Sequence, residues 1–353
     1  MADHTIWGWH GLCFRAMNTS VEIQLYTNGT SHALDDIQRM FQKAENCLTR
    51  FDPTSELCKL NRSSGRPLRV SPLLFDVVET ALWASSATDG LFDPTLLQLM
   101  KAIGYDRSFE QIELVGRAVP VLPLPQHKTY EKIRLDRLRR EIYLPPDAAL
   151  DLGGIGKGWT VDRAADWLVG AGPFMINAGG DLYAYASPPD QAGWSIGIVN
   201  PLEPSQDIAR LRVRQRAVAT STISRRQWRR GDRVMHHLID PRTDQPAETD
   251  VVSVTVIAHR VAVAEVFAKT ALILGAQAGR NWLNGLAGIE GLLVRNDGQL
   301  ILTDGFSAYL EVTNDKSNTN QAQHTTPRRL GSSGHRRRHR HPERPRSARA
   351  GVG

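Results

Sequence analysis

The segment DLGGIGKGWTVDRAADWL, from Asp151 to Leu168, constrains this chain more than any other. Four glycines surround one lysine, and a helical apolar pattern follows at once. Such a run is either a loop whose backbone N–H groups approach an anion at a helix N-terminus, or a tight strand-to-helix turn. The two familiar phosphate loops do not fit. A P-loop needs glycine five residues before its Gly-Lys pair and Ser or Thr after it, whereas Asp151 and Gly158 stand there. A dinucleotide fingerprint needs Gly-x-Gly-x-x-Gly, but Gly154, Gly156 and Gly158 are evenly spaced by two.

The rest of the chain carries both periodicities. Val21, Ile23 and Leu25 alternate as in a strand, and Leu34, Ile37, Met40, Phe41, Ala44 and Leu48 share one helical face behind Ser31 as N-cap. Further helices are expected over about 72–87, 263–274 and 278–286. Strand character marks KIRLDRLRREIYLP, GPFMINAGGDLYAYA, WSIGIVN, DIARLRVRQRAVATS, MHHLIDP and VVSVTVIA, and a hairpin turn falls at Asn296–Gly298. The fold class is therefore α+β, with antiparallel sheets and flanking helices in one catalytic domain over 1–313.

Charge sets the remainder apart. Of a net +6 over 353 residues, the segment from Asn314 holds ten Lys/Arg against two Asp/Glu, which leaves the body slightly acidic. Residues 314–353 lack apolar periodicity and are expected to form a disordered basic tail. No aromatic residues interleave its arginines, so nucleic-acid binding is disfavoured and contact with acidic surfaces remains open. No apolar run is long enough to span a membrane, the N-terminus lacks signal-peptide character, and three cysteines show no metal-ligand spacing. A cytoplasmic location is the expectation.

Eight ordered segments carry a resemblance: RAMNTSVEI, LTRFDPTSELCKLN, DGLFDPT, LDLGGIGKGWTVDRAADWL, INAGGDLYA, ATS, HLIDPRT and AEVFAKTALILG. Together they resemble the FAD:protein FMN transferase (ApbE) family over about Ala16 to Phe306. The resemblance implies a T-fold-related domain that takes FAD as substrate with magnesium. It would cleave the diphosphate and join FMN to a threonine of an acceptor flavoprotein, releasing AMP. Hydrolysis of FAD to FMN and AMP, or flavin binding without turnover, are the alternatives.

On the residues that match, Lys157 would face the diphosphate, Asp151 would orient the ligand and His237 would assist proton transfer. Met17, Phe51, Leu91, Phe92, Asp93, Thr220 and Asp240 would line the FAD site with them. The Gly154 carbonyl and Glu265 would hold the metal. Lys269 stands where the family has a threonine ligand, and a protonated lysine has no lone pair to offer.

Overall fold

The computed structural model describes residues 7–29, 32–107, 109–112, 115–116, 129–224, 227–230 and 233–311. Ser31 and the basic segment from Asn314 lie outside them. In strand β2 (Thr19–Thr27) Val21, Ile23 and Leu25 are buried while Glu22 and Gln24 are exposed, as the alternation expects. It pairs with β1 (Gly8–Ala16) through a two-residue turn at Met17 and Asn18. Both turn residues have positive φ, 51° and 61°, the geometry that lets such a turn follow the strand twist.

Six further strands extend this hairpin: β3 (Phe174–Ala178), β4 (Asp181–Tyr185), β5 (Arg216–Thr222), β6 (Val251–Ala258), β7 (Glu290–Arg295) and β8 (Leu300–Leu302). Their order in the sheet follows their order in the chain, and every pairing is antiparallel. Gly179 and Gly180, both at positive φ, make the β3–β4 turn.

The sheet buries both faces. Ala217, Ala219, Val254 and Val256 point to one side, where α1 (His32–Leu48), α2 (Pro72–Ala87), α3 (Gly156–Leu168), α4 (Val261–Leu274) and α5 (Ala276–Asn284) supply the larger core. Val218 and Ile257 point to the other, against a hairpin of Trp194–Val199 and Asp207–Val213. The stretch DIARLRVRQRAVATS is thus two strands in two sheets, broken at Gln215, whose φ of 52° turns the chain. The buried Ile37 and Phe41 of α1 each stabilise the helix face by roughly 1.5–3 kcal/mol.

Helix α4 begins at Val261, two residues before the apolar pattern places it, because α3 caps it. Asp162 of α3 accepts from the N–H groups of Val261 (2.8 Å) and Ala262 (3.1 Å). Glu265 of α4 returns the contact, accepting from the N–H of Gly158 in the first turn of α3 (2.9 Å). Each helix N-terminus, with its partial positive charge, thus receives a carboxylate from the other.

Burial pushes the Asp162 carboxyl from 3.8 up to about 6, against the pull of those two N–H groups. A carboxyl raised on folding contributes its stabilisation below the unfolded value, and loses it as pH rises through the folded one. Between about pH 3 and pH 7 this group should therefore remove about 3 kcal/mol of stability. Melting curves of the native protein and Asp162→Asn across that window check this. The variant, whatever constant loss it suffers, should show the shallower decline; parallel profiles would refute a raised Asp162.

Candidate active site

Met17, Phe51, Leu91, Phe92, Asp93, Asp151, Gly154, Lys157, Thr220, His237, Glu265 and Lys269 all line one cleft of about 600 Å³. That volume suits a small organic ligand. The cleft opens where the β1–β2 turn, the loop before α3, the turn after α2 and the end of β5 converge. Met17 is held there by its own N–H, which donates to Glu45 Oε1 of α1 (3.0 Å).

The glycine loop packs closely. Four of its N–H groups bond within the protein: Gly153 to Asp151 Oδ1 (2.6 Å), Ile155 and Gly156 to the Leu152 carbonyl, Gly158 to Glu265. A Cβ on Gly158 would stand 2.8 Å from the backbone of Ala262, so a side chain there would force α3 and α4 apart. On Gly154 it would meet Phe92 at 3.1 Å, and on Gly156, Leu48 at 3.2 Å.

Four charges meet beneath the cleft. The Lys157 ammonium donates to Asp181 Oδ2 and to Glu265 Oε1 (2.8 Å). Lys269 donates to the same Glu265 Oε1 (3.0 Å), to the Gly154 carbonyl (2.9 Å) and to the Glu265 carbonyl (3.4 Å). Burial alone would raise the Glu265 carboxyl, but the two ammoniums outweigh it and hold it down at about 2. Burial likewise opposes the charge on Lys157, yet Asp181 and Glu265 carry its value above that of an ordinary lysine. For Asp181 burial prevails over Lys157 and the value is raised.

Asp181 is a member that the motif reading did not assign. Its signal was a lone acid in the apolar run FMINAGGDLYAY, since a buried carboxylate needs a counter-charge. Arg50 was missed because its partner, Asp151, lies far along the chain. The Arg50 Nε to Asp151 Oδ2 distance is 2.8 Å, and the guanidinium lies 4.3 Å from the Phe51 ring centre and 4.6 Å from that of Tyr105. Its Nη1 and Nη2 are buried at the cleft with no hydrogen-bond partner among the described residues.

Other expectations need correction. Asp240 does not line the cleft; Arg242 holds it with Nε and Nη2 at 2.9 and 2.7 Å. Thr220 reaches the rim, but its hydroxyl is bonded to Thr255 across the ladder (2.9 Å), on the sheet face away from the helices. Ser221, next along β5, is the buried hydroxyl on the helix side. Asp93 Oδ1 accepts from the N–H and hydroxyl of Thr95, which fixes the turn after α2. His236 and His237 part as neighbours at a strand end do: His236 is buried with Nε2 3.2 Å from the Ala247 carbonyl, and His237 lines the cleft.

The residues do not fit a resident divalent cation. Magnesium takes a near-octahedral set of oxygens. Here the Gly154 carbonyl and Glu265 Oε1 already receive an ammonium. A cation against Glu265 Oε1 would lie within about 5 Å of both lysine nitrogens, a repulsion of several kcal/mol from each. Among the described residues no group of three or more His, Cys, Asp or Glu is placed to hold a metal, and no helix is long and apolar enough to cross a membrane.

Comparison with known proteins agrees with this architecture. The chain is 26% identical over 310 residues to the FAD:protein FMN transferase of Klebsiella pneumoniae, covering 86% of this chain and 93% of that one. It is 27% identical over 280 residues to the protein of the same name in Treponema pallidum, covering 75% and 77%. Among solved structures, the ApbE protein of Thermotoga maritima superposes with a TM-score of 0.77 at 22% identity, over 86% of this chain and all of that one. The flavin transferase ApbE of Vibrio cholerae gives 0.71 at 23%, over the same shares. The model of the ApbE family matches residues 17–293, from the turn that walls the cleft to the seventh strand of the sheet, and the chain belongs to that family.

Proposed function

We propose that this protein is an FAD:protein FMN transferase. The observation that carries the reading is the convergence on one cleft of twelve residues drawn from seven separated segments of the sequence. The names of relatives matching most of both chains support it.

In this reading a threonine Oγ of the acceptor flavoprotein attacks the FMN-side phosphorus of FAD. A new P–O bond forms as the bond to the AMP phosphate breaks, and AMP leaves with the bridging oxygen. His237, at the cleft wall, takes the hydroxyl proton. Lys157 sets positive charge at the cleft floor against the diphosphate, and the two unpartnered Arg50 donors suit phosphate oxygens, which a planar fork binds well. Asp151 acts through Arg50 by fixing its direction. Magnesium would be held by the diphosphate of the substrate and not by protein ligands, and would there offset charge on the phosphates. Three thiols, none of them in a disulfide, support a reducing cytoplasmic setting.

Incubation with FAD, magnesium and a threonine-bearing acceptor domain tests this, followed by mass spectrometry of the acceptor and chromatography of the flavin. FMN on the acceptor with stoichiometric AMP is the expected result. Free FMN and AMP would show hydrolysis in place of transfer, and unchanged FAD would refute the activity.

A further inference from the structure

Lys269 is not a solvated surface lysine. An ammonium has three N–H donors and no acceptor, and three oxygens lie within 3.4 Å of Nζ. Its stem packs against the loop before α3, where a Cβ on Gly154 would meet Lys269 Cε at 3.5 Å. The side chain is 16% exposed, and that of its partner Glu265 only 3%. All three acceptors, two backbone carbonyls and a carboxylate, are hard oxygens of the kind that a small divalent cation selects. Two acids, Asp181 and Glu265, face two lysines, Lys157 and Lys269; burial draws the Lys269 ammonium below the ordinary lysine value, and Glu265 pulls the other way.

We propose that the Lys269 ammonium is the resident cation of the Gly154–Glu265 position, a covalently tethered charge in place of a protein-held metal, and that FAD binds without a divalent ion there. The claim about the cation stands on the geometry alone; the claim about FAD rests on the transferase reading above. A tethered ammonium cannot be chelated away or diluted out. Unlike a hydrated metal it brings no bound water to the cleft, which favours an acceptor hydroxyl over hydrolysis.

The test uses the full chain and manganese as probe. Free manganese is followed by electron paramagnetic resonance in the absence of flavin. FAD affinity is followed by flavin fluorescence, once in EDTA and once in magnesium. The native protein should retain no manganese, and its FAD affinity should differ by less than about twofold between the two buffers. Lys269→Thr should lose at least about tenfold in FAD affinity in EDTA and recover it with magnesium. It should also gain a manganese site that a further Glu265→Gln removes.

A native protein that binds manganese and loses it on Glu265→Gln would overturn the proposal. So would a native FAD affinity that collapses in EDTA, or a Lys269→Thr protein indistinguishable from native. If Lys269→Thr does not fold, Lys269→Met keeps the stem packing and must show the same loss in EDTA, while the native measurements decide by themselves. If the native protein binds no FAD in either buffer, the transferase reading fails, and the manganese experiment still decides the nature of the cation.

Discussion

Lys157→Ala should abolish FMN transfer and lower the folding stability by about 3–5 kcal/mol. The sequence alone argues for the first effect and against the second, because a lysine in a glycine loop has the look of a side chain kept for its ligand. In the structure its ammonium lies between Asp181 and Glu265, both almost wholly buried. Truncation leaves two carboxylates facing one another, with Lys269 alone to compensate them. Breaking one partner out of a buried ion pair costs far more than the pair contributes, and the loss is a large part of a typical total of ~5–15 kcal/mol. Adding Asp181→Asn to Lys157→Ala removes the orphaned charge and should return part of the stability without returning transfer. Urea denaturation and FAD fluorescence on the single and double variants separate the two effects. An alanine variant with native stability would mean that the two acids do not need this lysine. One with native turnover would remove it from the site.

The two adjacent histidines should behave differently. His237→Ala should keep FAD binding and lose ~10²–10⁴ in transfer rate, the usual worth of a positioned proton acceptor. His236→Ala should lose stability and leave the turnover of folded molecules near native. Its ring is buried against the Ala247 carbonyl, and burial holds its pKa below the ordinary histidine value. The pair must be compared under conditions where both variants are folded, with transfer normalised to the FAD-binding fraction. Similar rates in the two variants would mean that the proton leaves by another route.

The sequence, through its family resemblance, could name positions that come to share one cleft, but not the contacts their side chains make. Twelve positions named from the family resemblance converge on one cleft, some from turns and strand ends that the antiparallel sheet gathers, others from the first turn of α3 and one face of α4. What each side chain touches depends on partners that no local pattern encodes. Arg50 meets Asp151 from across the chain, and Lys157 meets Glu265 108 residues away. Helix boundaries moved for the same reason: α4 starts early because Asp162, on another helix, satisfies its first N–H groups. Periodicity did locate α1 and β2, where a single buried face is the whole story. It also ran DIARLRVRQRAVATS together, because only Arg214 and Gln215, whose side chains carry no turn signature, separate the two strands.

The turn between the first two strands sets a hazard for anyone who would improve this protein. Met17 and Asn18 both lie in the left-handed region, where a side chain other than Asn, Asp or Gly costs on the order of 1 kcal/mol. A library selected for survival on heating could accept Met17→Gly, because glycine removes that cost in exchange for one partly buried side chain at the edge of the core. Each such winner would have given up a wall of the cleft and a methyl group beside Gly156. Thermal selection without a parallel assay for flavin would therefore erode the site from its hairpin end, while every round reported progress.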